Sequence, residues 1–478
     1  MKSLTWKAKE PYIVLTLFII GFFIRLYRID APGLCDFEII TALRVHQPFW
    51  NTIFLAGEST FPPLYYIFQN LWVHVFGASE WALRFPSAVF SSLTIIAVYK
   101  LGSELIGKKA GLIACALMVF SPFAVNYAQM AKMYSLFWLF STVTFVYFFR
   151  LFKNESRGNW FSYAFVSLLS CYTMYTGFLL LVAQNLMFFM MGARRQWKRW
   201  LLCQAVIILC CIPWIVFFLS SKHVDYDFNL PYSGLNYFTF LGEAFVWLIG
   251  NYNDRVWSLN FLLDVFLLGC FLAGALNLYL KEKKLALRSN HYGLLMWVVI
   301  PIVLYFIADR AYLHTFKDTR LRYIGFIQVP LFLMIGSQMI NFRGWAGRIL
   351  ISAVFILALN NTYVYFKENL RLPQQDWRVL TRELSAKVGK DDVVLFSDDY
   401  TMRVFEYYDK KDTGRFFEVS LAHCSSSLLS KLGILKPATN SIFIVYGKPQ
   451  APQMELKGYS LTYRDFLGGT NFLQYQRN

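Results

Sequence analysis

Long apolar blocks alternate with short polar segments along the first 370 residues of the chain. Most blocks approach the roughly 20 residues that an α-helix needs to cross the hydrocarbon core of a bilayer. The pattern therefore predicts a polytopic α-helical membrane protein with about eleven full spans. We place these spans at residues 11–27, 85–105, 110–126, 134–152, 160–175, 177–191, 200–219, 259–280, 292–309, 323–341 and 346–366.

Residues 62–77 are also apolar, but this segment is short and begins with two prolines. It is interrupted by Gln69, Asn70 and His74. Counting it as a span would place the later basic loops on the opposite side of the membrane. We therefore expect a helix that lies at the outer interface, or re-enters the membrane, within a long external loop at residues 28–84.

Composition supports a membrane protein and excludes two other classes. Of the 478 residues, 57% are hydrophobic and 16% are charged, and the mean hydropathy is +0.42. These values exclude a soluble multidomain enzyme and an intrinsically disordered chain. The net charge of +17 would suggest a nucleic-acid partner in a soluble protein, whereas in a membrane protein the basic loops mark the cytoplasmic side.

The positive-inside rule gives the orientation. If the N-terminus is cytoplasmic, basic residues gather in alternate short loops, for example at residues 194–199 and 281–288. We expect a multi-pass protein of the plasma or inner membrane with a cytoplasmic N-terminus. Its C-terminus would be extracytoplasmic, its surroundings would be membrane lipids, and no nucleic acid would bind.

The chain after residue 370 has a different composition. Asp376 is a typical N-cap for an amphipathic helix, and apolar strands are predicted at 393–396 and 441–447. A second amphipathic segment at 401–408 lies between them. The predicted organisation is a transmembrane domain at residues 1–370 and a small extracytoplasmic α/β domain at residues 371–478.

One predicted outer loop breaks the charge rule. A single arginine there would be an interface anchor whose charged end reaches water. Several cations on the outer side instead favour a negatively charged ligand, and phosphate suits both arginine and lysine. We predict an anion site, with the interface anchor as the alternative. The four basic residues of this loop are Arg310, Lys317, Arg320 and Arg322.

Acidic residues after the first predicted span suggest a reaction with such a ligand. Asp36 and Glu38 lie in the first external loop. A carboxylate there can deprotonate an acceptor hydroxyl or amine while cations stabilise a leaving phosphate. The alternative is a solvated helix N-terminus, which acidic residues favour. Carboxylates near a phosphate leave room for a divalent cation, although no residues have metal-ligand spacing.

The cysteines predict neither a disulfide framework nor a metal centre. Six of the eight lie inside apolar blocks, where they act as small buried hydrophobic residues. Cys35 and Cys424 lie outside these blocks, so the sequence leaves a disulfide between them open.

Several short motifs occur in one order along the chain. They are PGL-x-D-x-E (32–38), PPLYY (62–66), G-x-SE-x-ALRFPSAVF (77–90), VYKLG (98–102), AGLIACALMVFSPF (110–123), Q-x-A-K-MYSL (129–136), Arg322-Tyr323 and Asp376-Trp377-Arg378. In order and spacing these motifs resemble the GT-C membrane glycosyltransferases of the ArnT/PMT-like group. The resemblance implies an enzyme that passes a sugar from a polyprenyl-phosphate donor to a lipid, glycan or protein acceptor. Transfer would occur on the extracytoplasmic face, with inversion at the anomeric carbon.

The resemblance also implies roles for individual residues. Asp36 or Glu38 would act as the catalytic base or orient the acceptor. The donor phosphate would be held by Lys132, Arg320 and Arg322, with Arg84 as a further candidate. The substrate would contact Gln129, Tyr134, Tyr65 and Tyr323, although aromatic residues of this kind also form interface belts.

Four positions depart from the motifs of the group. If Glu38 keeps the register of the group's motif, Phe37 occupies the position of the catalytic aspartate, and Phe61 stands where a histidine is common. Met130 and Lys132 stand where glutamate and arginine are usual. A second hypothesis is therefore a catalytically degenerate member that binds a polyprenyl-phosphate lipid or assists a partner glycosyltransferase. A secondary transporter is a third class, but it predicts an internal repeat that the sequence lacks.

Overall fold

The computed structural model describes residues 2–58, 61–191, 196–220, 259–281, 290–308, 322–367, 376–397, 399–409, 415–419, 425–446, 456–467 and 470–478. The chain divides into two compact units. The first unit comprises Met1–Tyr27, Gln47–Gly77 and Ala82–Arg371, and the second comprises Arg28–His46, Ala78–Trp81 and Leu372–Asn478. The division predicted at residues 370 and 371 stays a prediction. The second unit includes two short stretches from the N-terminal part of the chain.

The described part of the first unit is helical. The helices as far as residue 367 are α1 (Lys2–Leu26), α2 (Asp36–Val45), α3 (Phe49–Glu58), α4 (Leu64–Phe76), α5 (Glu80–Leu105), α6 (Lys108–Val119), α7 (Pro122–Ala128), α8 (Tyr134–Lys153), α9 (Arg157–Thr173), α10 (Thr176–Met190), α11 (Trp197–Ser220), α12 (Leu259–Lys281), α13 (Asn290–Ala308), α14 (Gln328–Met339) and α15 (Gly344–Lys367). A 3₁₀ turn at Gly325–Ile327 precedes α14. Helix α2 and the first two residues of α5 belong to the second unit.

Among the described residues, four helices are long and apolar enough to cross a membrane, namely α5, α8, α11 and α15. Each coincides with a predicted span, and the bent pair of α6 and α7 would make a fifth. In α11 and α15 only 28% of the apolar stretch is buried inside the protein, which leaves apolar surface for contact with lipid. Several other predicted spans coincide with shorter apolar helices, such as the 15 residues of α10, and the total of eleven stays a prediction.

The span predicted at 110–126 is wrong as one continuous helix. Helix α6 ends at Val119, and α7 follows after a bend of 60°. Ser121 caps α7, because its Oγ accepts a hydrogen bond from the amide of Ala124 at 3.2 Å. Pro122 suits the first turn of a new helix, where no amide donor is needed, and cannot continue the previous one.

A buried arginine stabilises the end of α6. Arg25 of α1 is fully buried. Its guanidinium donates to the carbonyl oxygens of Met118 at 3.0 Å and Val119 at 3.5 Å, and to Ser91 Oγ at 2.8 Å. The last carbonyls of a helix have no partner within it and carry partial negative charge. Arg25 therefore compensates the interrupted helix inside the first unit.

The segment at 62–77 forms the 13-residue helix α4. At 1.5 Å per residue such a helix is about 20 Å long, shorter than the roughly 30 Å hydrocarbon core. Two of its polar residues, Gln69 and Asn70, are buried and paired within the unit, whereas His74 is exposed. Gln69 donates to the carbonyl of Leu83 at 2.6 Å, and Asn70 donates to the carbonyl of Gln47 at 2.9 Å. The length agrees with the expectation that this segment is not a full span.

The second unit contains a five-stranded sheet. The strands are β1 (Val393–Phe396), β2 (Arg415–Glu418), β3 (Ser441–Tyr446), β4 (Tyr459–Leu467) and β5 (Thr470–Arg477). Their order in the sheet is β2-β1-β3-β5-β4. Strand β1 is parallel to its neighbours β2 and β3, and β5 is antiparallel to β3 and β4. The remaining described helices are α16 (Trp377–Lys387), α17 (Asp399–Tyr408) and α18 (Ser426–Lys431).

The structure confirms the two strands predicted for this unit, which are β1 and β3. Both are buried throughout, and therefore read as uninterrupted apolar runs. Asp376 is confirmed as the N-cap of α16, since its Oδ1 accepts a hydrogen bond from the amide of Val379 at 3.0 Å. The sequence did not predict β2, β4 and β5, whose polar and apolar residues are mixed.

Candidate functional site

In the first unit, the loop between α7 and α8 carries Lys132, whose side chain is buried. The ammonium lies 5.6 Å from the centroid of the Phe61 ring, within the range of a cation–π interaction. The carbonyl of Lys132 accepts a hydrogen bond from Ser87 Oγ at 3.2 Å. The Tyr65 hydroxyl lies 3.4 Å from the same Ser87 oxygen. The structure thus brings together two predicted site residues, Lys132 and Tyr65.

Arg322 is the second buried cation of this region, with 9% of its surface exposed. Its guanidinium carbon lies 5.7 Å from the ring centroid of Tyr134 and 5.3 Å from that of Tyr323. Tyr134 and Tyr323 meet edge to face at 6.2 Å, and Tyr127 meets Tyr134 in the same way at 5.3 Å. Tyr134 is the first residue of α8, two positions after Lys132. Three tyrosines therefore join Arg322 to the loop that carries Lys132.

These residues, Lys132, Arg322, Tyr127, Tyr134 and Tyr323, are called the cation–tyrosine cluster below. Burying a cation is costly unless nearby groups replace its hydration. Tyrosine rings replace part of it through their quadrupoles, but they are neutral at physiological pH. The cluster is therefore suited to an anion that accepts charge-assisted hydrogen bonds.

Three further predicted residues have different outcomes. Arg84 is buried in α5. Gln129 donates from Nε2 to the carbonyl oxygens of Arg25 at 3.0 Å and Tyr27 at 2.8 Å, so part of its role is to hold the end of α1. Its contact with a substrate stays a prediction. Arg320 lies outside the described residues, as do Arg310 and Lys317.

In the second unit, Asp36 and Glu38 both lie in the first turn of α2. Glu38 is 3% exposed, and its Oε2 accepts a hydrogen bond from the amide of Cys35 at 3.2 Å. This is the reach of a capping-box glutamate back to the N-cap residue. Asp36 is half-buried, and its Oδ1 accepts from the amide of Phe37 at 2.7 Å. Both carboxylates thus accept a backbone amide at the start of α2, and they differ in exposure, because Glu38 is buried and Asp36 is half-buried.

Tyr407 and Tyr408, at the end of α17, belong to the same unit. Burial, with smaller contributions from the carboxylates of Glu80 and Glu38, raises the pKa of Tyr407 to about 12. No local sequence pattern indicates these tyrosines, because α17 is separated from α2 by more than 350 residues. Both phenols are neutral at physiological pH.

No group of three or more histidine, cysteine, aspartate or glutamate residues in the described part of the chain is arranged to hold a metal ion. Cys35 is buried, and Cys424 lies outside the described residues, so the disulfide between them that the sequence leaves open is not tested. The candidate functional residues are the cation–tyrosine cluster, which lies in the first unit, and Asp36 and Glu38, which lie in the second unit.

Residues 60–217 match the family model described as dolichyl-phosphate-mannose-protein mannosyltransferase. The matched segment contains Lys132, Tyr134 and Phe61. It does not contain Asp36 or Arg322. A search of curated protein sequences finds no match.

Solved structures extend the similarity to nearly the whole chain. One similar structure is the crystal structure of ArnT from Cupriavidus metallidurans bound to undecaprenyl phosphate. The match covers 98% of this chain and 98% of the ArnT chain, with a TM-score of 0.51 and 12% identity. Another is archaeal oligosaccharyltransferase AglB from Archaeoglobus fulgidus, in complex with an inhibitory peptide and a dolichol-phosphate. This match covers 91% of this chain and 70% of the AglB chain, with a TM-score of 0.54 and 12% identity.

A third similar structure is the arabinofuranosyltransferase AftD from Mycobacteria. The match covers 97% of this chain and 40% of AftD, with a TM-score of 0.52 and 10% identity. All of these structures belong to glycosyltransferases of one architecture. The chain therefore has the GT-C fold of the ArnT/PMT-like membrane glycosyltransferases.

Proposed function

We propose that this protein is an integral membrane glycosyltransferase that takes a sugar from a polyprenyl-phosphate donor. The observation that carries the proposal is the cation–tyrosine cluster, in which Lys132 and Arg322 are both buried. A lipid phosphate would accept charge-assisted hydrogen bonds from these two cations. Two similar structures support this ligand class, because they contain undecaprenyl phosphate and a dolichol-phosphate.

The reaction is a displacement at the anomeric carbon. The acceptor oxygen or nitrogen forms a bond to that carbon, and the bond from the carbon to the phosphate oxygen breaks. The phosphate leaves with the electron pair, and Lys132 and Arg322 stabilise the charge that develops on it. A carboxylate takes the proton that the acceptor loses. A single displacement of this kind inverts the anomeric configuration.

Asp36 is the better base of the two carboxylates in α2. Glu38 is buried and holds the amide of Cys35, so its lone pairs are partly engaged. Asp36 is half-buried and therefore has exposed surface for an acceptor. A helix N-terminus favours the carboxylate form, which a general base needs. With Asp36 as the base, the catalytic aspartate stands one residue earlier in this chain than the motif of the group would place it, at position 36 instead of 37.

The proposed orientation follows from the charges of the loops. A cytoplasmic N-terminus places the basic short loops inside the cell, and transfer would occur on the extracytoplasmic face of a plasma or inner membrane. The second unit would then be extracytoplasmic. The acceptor would be a lipid, a glycan or a protein, and the donor sugar a hexose or a pentose.

Mass spectrometry of the lipids that the gently purified protein retains tests the ligand class. The wild type should retain a polyprenyl phosphate or its glycoside, and the variant with Lys132→Ala and Arg322→Ala should lose it. Arg348→Ala is the matched control, because it removes an exposed arginine from α15 of the same unit. Only bulk phospholipid in both samples would contradict the proposed site.

A further inference from the structure

Two motifs of the sequence lie far apart in the chain and contact each other in the second unit. One is Pro32-Gly33-Leu34, which directly precedes the N-cap Cys35 and the first turn of α2. The other is Asp376-Trp377-Arg378, at the start of α16. The proposed reaction assigns no role to the second motif.

The carboxylate of Asp376 has two separate partners. Its Oδ1 accepts the hydrogen bond from the amide of Val379 that caps α16, at 3.0 Å. Its Oδ2 accepts a hydrogen bond from the amide of Gly33 at 2.9 Å. The same side chain therefore starts one helix and holds the residue three positions before Asp36. A carboxylate, unlike a hydroxyl, has two oxygens for these two tasks.

Gly33 is required by this close approach. A Cβ atom at position 33 would overlap the carboxylate of Asp376 and would lie 2.7 Å from Arg378 Cβ and 3.0 Å from the Arg378 amide nitrogen. Part of that contact is backbone, which cannot rotate away. The adjacent Leu34 continues the contact, because its carbonyl accepts a hydrogen bond from the amide of Trp377 at 3.4 Å.

Arg378 holds the same segment from its other side. Its guanidinium donates to the carbonyl oxygens of Ala31 and Asp30, and its Nη1 lies 3.4 Å from Glu80 Oε1. The Tyr408 hydroxyl then closes the network. It donates to Glu80 Oε1 at 3.1 Å and accepts from the amide of Leu34 at 2.8 Å.

The backbone of residues 30–34 is thus held by side chains from two separate parts of the sequence, and Glu80, from a third part, pairs with two of these side chains. Helix α2 begins at Asp36, two residues after the last of these contacts. The position of the first turn of α2 therefore depends on this network of side chains. The network consists of Asp376, Arg378, Tyr408 and Glu80, and these four residues are called the α2 anchor below.

We propose that the α2 anchor consists of positioning residues for the acceptor-activating carboxylate, an inference that rests on the proposed function. None of its members needs to touch the substrate, because each acts through the backbone that precedes Asp36. A displacement of about 1 Å at a reacting group costs on the order of 100-fold in rate. Loosening the anchor should therefore lower kcat while leaving the retention of the donor lipid unchanged.

The test uses the full-length protein in detergent or nanodiscs. The variants are Arg378→Ala and Asp376→Ser, since serine keeps a good N-cap for α16 but cannot reach Gly33 at the same time. Arg382→Ala is the matched control, because Arg382 lies on the same helix with 73% of its side chain exposed. Three quantities are measured: amide hydrogen exchange at Gly33 and Leu34, kcat and KM for transfer, and the amount of retained polyprenyl phosphate.

The anchor predicts slow exchange at Gly33 and Leu34 in the wild type and in Arg382→Ala. Exchange should be faster in both anchor variants, with kcat lowered on the order of 100-fold and donor-lipid retention unchanged. Two results overturn the proposal: rapid exchange at these amides in the wild type, or faster exchange in the variants with kcat within twofold of wild type.

Failure of the proposed function gives a different result. A wild-type protein that transfers no sugar from any polyprenyl-phosphate glycoside overturns the function, and with it the catalytic purpose of the anchor. An active wild type whose anchor variants are equally active overturns the anchor alone. Loss of retained lipid in the anchor variants also overturns it, because such a loss indicates general unfolding.

Discussion

The guanidinium carbon of Arg322 lies 5.7 Å from the centroid of the Tyr134 ring. Arg322 lies three residues before the 3₁₀ turn at Gly325–Ile327, and Tyr134 is the first residue of α8. The contact therefore joins two segments that are far apart in the sequence. Tyr134 follows Lys132 by two positions in the sequence, and Lys132 is a second buried cation. The rings of Tyr134 and Tyr323 lie beside Arg322, and the ring of Phe61 lies beside Lys132. The burial of two cations in this region leads to the proposed lipid-phosphate ligand.

The ring of Tyr134, and not its hydroxyl, should account for most of its contribution to binding. Tyr134→Phe keeps the aromatic face beside Arg322, so we expect nearly wild-type affinity for a polyprenyl phosphate. Tyr134→Leu removes that face and should weaken binding by about 0.5–2 kcal/mol, or roughly 2- to 30-fold. Binding of a fluorescent polyprenyl phosphate to the purified variants measures this. Equal losses in both variants would contradict the cation–π argument.

Lys132 and Phe61 should act as a coupled pair. Both positions depart from the motifs of the group, and in this protein they contact each other at 5.6 Å. A double-mutant cycle with Phe61→Leu and Lys132→Met should give a coupling energy of about 0.5–1 kcal/mol in phosphate-lipid binding. Strict additivity of the two substitutions would mean that the contact contributes nothing.

The two carboxylates of α2 should differ in their effect on transfer. Asp36→Asn removes the proposed base and should lower kcat by about 10²- to 10⁴-fold. Glu38→Gln keeps an oxygen that accepts the Cys35 amide, as glutamine does in a capping box, so its kcat should fall less than tenfold. A transfer assay with both variants, expressed to equal levels, tests the assignment. The reverse order of effects would make Glu38 the base.

The second unit should lose stability at alkaline pH through Tyr407. The pKa of this phenol is raised from 10.0 to about 12, chiefly by burial. The neutral form is therefore favoured by folding, and its stabilising effect is complete below pH 10 and is lost as the pH rises towards 12. Tyr407→Phe should flatten this dependence in denaturant titrations between these pH values. An unchanged slope would show that the phenol does not couple to folding.

The elements that the sequence predicts best are those with apolar surroundings on most sides. Helices α5, α8, α11 and α15 coincide with predicted spans because apolar surroundings require an apolar helix on most sides. Strands β1 and β3 were predicted because burial on both faces makes them continuously apolar. The N-cap Asp376 was predicted from local chemistry alone.

The sequence did not predict features that depend on breaks or on distant contacts. Hydropathy averaged over 110–126 is insensitive to the cap at Ser121 and the proline that follows it, so the bend between α6 and α7 was missed. The contact between Gly33 and Asp376 joins residues 343 positions apart, and no local pattern encodes such a pair. The sequence alone does not distinguish Asp36 from Glu38, because the hydrogen bond from the Cys35 amide to Glu38 becomes visible only in the structure.

The transferase proposal is tested by measuring the release of polyprenyl phosphate from a set of polyprenyl-phosphate glycosides, with the anomeric configuration of the product determined by NMR. We expect the wild type to release the lipid phosphate and to yield a product of inverted configuration, and Asp36→Asn to do neither at a comparable rate. A wild-type protein that binds the lipid phosphate but releases none from any glycoside and acceptor would contradict the transferase and leave a lipid-binding protein with the same fold.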